Sequence, residues 1–323
     1  MTKELLLCFL AGVVLPLALA AVFQELPPPA QPESSSVSTA PQAAADADSQ
    51  VTLAVKKQDG TSETMPLQDY LVGVVLAEMP AGFEPEALKA QAVVARTYTQ
   101  KRMEGSKHEE ADVCTDPGCC QGFQSPGDYV SAGGTEASVE KVRQAVLETD
   151  ALVLQYNGRL IDATYFSCSG GTTEDAVAVW GRDVPYLQSV ESPGEEEAPR
   201  FTDTVRFSPA QFAEKLGLIP SGDPVGWFGA VTYTEGGGVD TMVILGKSFT
   251  GTYLRAKLGL RSTAFTVSVE DGAIVITTRG FGHRVGMSQY GAQAMALEGH
   301  SFEEILAHYY TGAELTREAY YGN

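Results

Sequence analysis

Basic residues are scarce in this chain: 22 Lys and Arg stand against 41 Asp and Glu, a net charge of −19. Nucleic acid and anionic membrane surfaces both call for a basic face, so this balance argues against either as a partner. Long hydrophobic runs are nearly absent too. One uncharged apolar stretch, Leu5 to Phe23, follows Lys3 and Glu4 and is interrupted only by Pro16. It is just long enough to span a bilayer, which predicts a transmembrane anchor over residues 1–23. A cleaved secretory signal is the competing reading, because Ala18-Leu19-Ala20 suits a small-residue cleavage site. Either way the remainder lies outside the cytoplasm. Cysteine is sparse as well, five in 323 residues; Cys8 sits in the apolar run as an inert side chain. The apolar fraction of 44% is enough for a sizeable core, in one large domain or two modest ones, and excludes a mainly disordered chain.

Residues 24–50 turn to Pro, Ala, Ser and Gln, with Pro27-Pro28-Pro29 and Ser34-Ser35-Ser36, and read as a disordered linker. Folded structure is expected over 51–323, starting with a strand at Val51–Val55. The stretch that organises the rest follows. Leu67, Leu71, Val74 and Val75 recur at helical spacing, and Glu78 falls next on the same face. A carboxylate thus stands where the pattern calls for a core residue. Pro80 ends that helix, and Pro85 opens a second one, Glu84 to Thr99, whose face of Leu88, Ala92, Ala95 and Thr99 is mostly small. A Glu partly stripped of water has a raised pKa and suits general acid chemistry near neutral pH. Taken alone, the pattern equally admits a Glu78 that frays into solvent or pairs with Arg96.

Next, His108, Cys114, Cys119 and Cys120 lie close together, with Pro117-Gly118 to turn the chain. Three thiolates and an imidazole match a tetrahedral Cys₃His zinc set; a disulfide among these cysteines is the alternative in an exported protein. Four protein ligands would leave no water to activate, so an ion here is structural.

After the Ser131–Gly134 loop, Val139–Thr149 reads as a helix with Val142, Val146 and Leu147 inward. A hairpin follows: Ala151–Tyr156, the turn Asn157-Gly158, and Arg159–Phe166. It delivers Ser167-Cys168-Ser169-Gly170-Gly171 and then Thr173-Glu174. Gly194–Ala198, with three consecutive Glu, reads as a solvated loop. A helix after Ser208-Pro209, a strand pair at Ala230–Thr234 and Thr241–Leu245, and a helix near Gly251–Leu258 carry no assigned chemistry. A second hairpin, Val267–Thr278, runs into Arg279-Gly-Phe-Gly-His283-Arg-Val-Gly286-Met-Ser288-Gln289-Tyr290-Gly-Ala, where glycines free the backbone to approach a ligand. His283 alone reads equally well as a side chain bonded to a backbone carbonyl. Ser301 and Glu304 form a capping box for a last helix expected to stop at Gly312, with His300 and His308 at the surface. The pattern is that of a mixed α+β body with antiparallel hairpins.

Three of these blocks together resemble the stage II sporulation protein D family: Val74-Val-Leu-Ala-Glu78-Met-Pro80 with Ala87 to Tyr98, the Ser167–Gly171 turn, and Gly280-x-Gly-His283-x-Val-Gly-Met-Ser-Gln-Tyr-Gly-Ala292. The resemblance covers roughly Thr52 to Leu315; Cys168 departs from it, since Ser or Thr is more usual there. It implies a membrane-anchored peptidoglycan lytic transglycosylase with Glu78 as catalytic acid. It further implies a glycan groove drawing on Ser167, Ser169, His283, Ser288, Gln289 and Tyr290, with Arg96 holding or tuning Glu78. A structural zinc of Cys and His residues occurs at this place in some members, although Cys119 stands here where those have His. Also implied is work during spore engulfment, between the mother-cell and forespore membranes, on peptide-stripped strands and beside a peptide-removing amidase and a membrane scaffold.

The chemistry fits a single acid. Hydrolytic glycosidases need two carboxylates, and no second one is placed as Glu78 is, although Glu84, Glu86 and Glu174 are candidates. A transglycosylase lets the muramic 6-hydroxyl attack the anomeric carbon, so one acid serves both steps. The rivals are a cysteine hydrolase using Cys168 and His283, a zinc amidase, and a wall-binding module without catalysis.

Overall fold

A computed structural model describes residues 47–199 and 201–317 of the chain. The expected anchor and most of the expected linker lie outside the described residues; among those described, no helix is long and apolar enough to cross a membrane. The fold is α+β, but it begins before Val51. A short helix, α1 (Ala47–Gln50), carries a buried Asp48 that pairs with Arg96 at 2.7 Å. Residues 47–50 therefore belong to the fold and not to a spacer, because a fully buried guanidinium requires an anion.

β1 (Thr52–Lys56) and β2 (Ser62–Pro66) pair antiparallel, Thr52 opposite Pro66. β2 was not expected: Ser62, Glu63 and Thr64 are exposed and leave no apolar alternation to read. α2 (Leu67–Glu78) is buried from Tyr70 through Leu76, enclosed all round instead of along one stripe. Gly73 permits this, since a Cβ there would meet the Phe123 ring at 2.2 Å. Met79 leaves the helix extended, just before Pro80. α3 (Pro85–Glu104) starts at its proline, as the sequence dictates. The loop after it carries β3 (Val113–Cys114), parallel to β1. α4 (Pro126–Ser131) and α5 (Glu136–Glu148) follow, capped by Ser125 and Thr135.

The hairpin of β4 (Leu152–Tyr156) and β5 (Arg159–Leu160) turns at Asn157 and Gly158, at φ of 51° and 72°. It is shorter than expected: pairing reaches only Gln155 with Leu160, and the chain then leaves as β6 (Tyr165–Phe166) for a different partner. α6 (Ala176–Trp180) follows.

Residues 202–279 build a second, smaller core. It comprises β7 (Thr202–Phe207), α7 (Pro209–Leu216), β8 (Phe228–Tyr233), β9 (Val239–Ile244), β10 (Lys247–Thr250), α8 (Gly251–Leu258), β11 (Phe265–Glu270) and β12 (Ala273–Arg279). Two antiparallel sheets, in the orders β10-β9-β8 and β11-β12-β7, enclose Phe212, Trp227, Met242, Leu254 and Ile276. The chain then returns to the main core. β13 (Met287–Ser288) pairs in parallel with β6; α9 (Gln289–Leu297), α10 (Phe302–Tyr309) and β14 (Glu314–Arg317) follow, β14 closing on β4. α10 stops short of Gly312, because Tyr310 already leaves the helical region. The buried Ala87, Ala90, Ala92 and Ala95 keep α3 slim enough for α2, α5, α9 and α10 to pack around it.

Candidate active site

Two cavities meet at Glu78. The larger, about 510 Å³, is lined by Tyr98, Tyr165, Phe166, Phe281 and His283 among others; the smaller, about 380 Å³, by Leu76, Pro80, Tyr129 and Tyr290. Glu78, Ser167 and Gln289 line both, so together they make one groove with the acid where its halves join.

Glu78 is the last residue of α2, and the loop after α3 folds back over it. The Gly122 N–H donates to its Oε1 at 2.5 Å. Burial raises the Glu78 pKa, while that amide and the neighbouring Tyr165 hydroxyl hold the rise in check. Tyr165 is itself fixed, donating to Gln121 Oε1 at 3.2 Å, while Gln121 Nε2 donates to Thr99 at 3.0 Å. No other acid lines either half of the groove among the described residues. Glu86 binds Lys89 at 2.8 Å and accepts the Phe302 N–H, tying α3 to α10. Glu174 is buried against Arg284 at 3.0 Å. Glu84 does not line the groove; its N–H donates to Gln293 at 2.6 Å.

Of the residues expected to bind substrate, Ser167, His283, Gln289 and Tyr290 line the groove. His283 packs between Phe166 and Trp180, each ring centroid 5.7 Å away. Its Nδ1 accepts the Val285 N–H at 3.1 Å. Burial, aided by the charge of Arg255, pushes its pKa down to about 4, so the ring is neutral at physiological pH. It therefore serves as wall and brace, and not as a general acid.

Three assignments are corrected. Arg96 faces away from Glu78: besides Asp48, it donates to the carbonyls of Val146 and Leu152 at 3.1 and 3.2 Å, and it is fully buried. Ser169 and Ser288 are also fully buried and bind Glu195. Glu195, read as part of a solvated loop, is buried. One of its oxygens accepts from Ser169 N, Ser169 Oγ and Gly170 N at 2.7 to 2.8 Å; the other accepts from Ser192 Oγ at 2.7 Å and from Ser288. A carboxylate with this many donors is a structural clamp. It pins the Ser167–Gly171 turn to the start of α9. The two buried serines, in a turn otherwise typical of a ligand loop, were the signal that an acid had to lie nearby. Cys168 is also buried, and burial pushes its thiol up to about 11, which leaves the cysteine-hydrolase reading without a nucleophile.

Sequence reasoning missed Tyr165, Gln121, Gly122 and Arg284. Arg284 stands at φ 68° with its guanidinium on Glu174 and on the carbonyls of Thr172 and Gly236.

Beside the groove, the ligand atoms of His108, Cys114, Cys119 and Cys120 all lie within 4.8 Å of one another, with Nε2 of His108 3.4 Å from Sγ of Cys120. All four cysteines of the described residues are free. The donor set and spacing suit a metal ion held entirely by protein. The cluster adjoins the groove, since Cys120 lines it two residues before Gly122.

An α+β body with one protonatable acid at the centre of an open groove, braced by a His/Cys cluster, is the class that this geometry defines. Comparison with known proteins narrows it. The family model of the stage II sporulation protein SpoIID matches residues 55–156. Stage II sporulation protein D of Bacillus subtilis is 42% identical over 260 residues, 79% of this chain and 75% of that one; its counterpart in Bacillus amyloliquefaciens matches equally. The amidase enhancer of Bacillus subtilis is 30% identical over 76% of this chain and 40% of its own. The chain belongs to the stage II sporulation protein D family.

Proposed function

We propose that this protein is a lytic transglycosylase of peptidoglycan, acting in sporulation. The observation that carries the reading is the single acid: Glu78, half-buried and raised in pKa, is the one acid lining the groove among the described residues. A hydrolase would need a second carboxylate flanking the bond. With Oε1 held by the Gly122 amide, the proton rides on Oε2 and passes to the glycosidic oxygen as the bond to the anomeric carbon breaks. The carboxylate then takes the proton of the muramic 6-hydroxyl while that oxygen closes on the anomeric carbon, leaving a 1,6-anhydro end. Tyr165 steadies Glu78, and Ser167, Gln289 and Tyr290 offer polar contacts on either side. His108, Cys114, Cys119 and Cys120 would hold a zinc ion, which with four protein ligands would serve a structural role. Leu5–Phe23 anchors the protein so that the groove works outside the cytoplasm, facing the wall between the mother-cell and forespore membranes.

The likeness to an amidase enhancer favours a companion role, working next to an amidase with or without cutting strands itself; a membrane scaffold as a further partner is part of the same proposal. Mass spectrometry of peptidoglycan strands after incubation with the protein and with its Glu78→Gln variant separates these. Anhydro ends from the unaltered protein only are expected. Reducing ends would mean hydrolysis, and intact strands that sediment with the protein would mean a binding module.

A further inference from the structure

Resting on the reading of the groove as a glycan site, we propose that Phe281 and Trp180 form an aromatic subsite on its larger half, one that stacks on the apolar face of a sugar ring away from the bond being cut. Phe281 lines that half and not the smaller one. Among the described phenylalanines it is the one that stands exposed, at 43%. His283 lines the same half, and the Trp180 ring packs against it at 5.7 Å, carrying the aromatic surface from the groove past its edge. Trp180 is 40% exposed, whereas the other tryptophan, Trp227, is 3% exposed within the smaller core. Large aromatic rings gain most from burial, so two left in water beside one groove point to a ligand that covers them.

Both rings are held where they stand. Phe281 exchanges backbone hydrogen bonds with Cys168 at 2.8 and 3.2 Å, and the Arg261 guanidinium lies over its ring, 4.8 Å from the centroid. Arg261 is fixed in turn by Asp203 at 3.2 Å. Trp180 closes α6, which Asp175 caps at its start and which ends at Gly181 in the left-handed region, φ 71°. Just before that cap, the Glu174 N–H donates to the Arg284 carbonyl at 2.6 Å, tying α6 to the segment that carries Phe281 and His283. Rings fixed in advance lose little freedom when a ligand arrives. They suit a flat surface of C–H bonds, which a pyranose presents on its face while its hydroxyl and acetamido groups point outward from the edge. Because Phe281 belongs to one half only, the subsite acts on one side of Glu78 and rewards strands that extend far enough on that side.

The test is equilibrium binding of peptide-free glycan oligomers of two, four, six and eight sugars to the full-length Glu78→Gln protein, by calorimetry and by acrylamide quenching of tryptophan emission. Quenching reads Trp180, since Trp227 is shielded from the quencher. Affinity is expected to step up about tenfold at one oligomer length, and quenching to fall at that same length and not before. Adding Trp180→Leu or Phe281→Leu, which keep apolar bulk without a ring, should flatten the step; Trp180→Phe should keep most of it. A folding defect would weaken every length alike, so weakening that ignores length overturns the subsite. Quenching that bound oligomers leave unchanged overturns it as well, as does a step that survives both leucine variants. If short and long oligomers bind equally, the subsite alone fails; if no oligomer is bound at all, the reading of the groove fails with it.

Discussion

Glu78 pits function against stability in a way that pH exposes. Its folded pKa lies above that of the unfolded chain, so its contribution is most favourable in acid, where both states are protonated, and is lost as pH rises through the folded value. Glu78→Gln removes a charge that the fold disfavours. The variant is expected to lose anhydro-end release yet melt at a higher temperature than the parent at pH 7 to 8, with the gap closing towards pH 4. Thermal unfolding across that range checks it, and a variant that melts lower at every pH would show that the half-buried carboxylate is a net support. Glu78 was legible in the sequence because an acid interrupted an apolar stripe. Gly122 was not: its role is a backbone N–H, which no side-chain pattern announces, and a Cβ at that position would lie 3.0 Å from Glu78 Oε1.

The loop between α3 and α4 is the element on which the acid depends. From the His/Cys cluster it runs directly into Gln121, Gly122 and Phe123, which respectively hold Tyr165, hold Glu78 and stack on Tyr70 with ring centroids 5.7 Å apart. Chelation is therefore expected to lower the melting temperature and to speed hydrogen exchange at the Gly122 and Gln124 amides, with added zinc restoring both; exchange rates there that ignore chelator would detach the metal from the site. Elements punctuated by proline, by Asn-Gly or by a capping box were readable in sequence, as with α2, α3, the β4–β5 turn and α10. β2 and the early end of the β4–β5 hairpin were not. In the first, polar side chains hide a strand that backbone pairing alone specifies; in the second, a distant partner outcompetes a local one. The Glu195 loop misled for a related reason, because the charge of a carboxylate does not reveal how many donors will surround it.

Across the whole molecule, the segment 202–279 stands between two stretches that must meet, and Glu174 with Arg284 joins all three. Arg284 reaches Thr172 and Gly236 as well, and Glu174 accepts from Thr234 and Gly238 of the smaller core. Glu174→Ala would leave a buried guanidinium without its anion and is expected to cost about 3–5 kcal/mol in urea unfolding. A loss below about 1 kcal/mol would mean that the carbonyls alone satisfy Arg284. None of this joining was visible beforehand, since composition marks neither an insertion nor its seam.

The short parallel pairing of β6 with β13 also sets an order in time. It joins Tyr165 to Met287, and β14 closes later still upon β4. Closing such long loops is entropically slow compared with forming the α2 and α3 helix pair. In a growing or refolding chain α2 and α3 can therefore pair well before the opposite wall arrives, and the groove gains that wall only when β13 docks on β6.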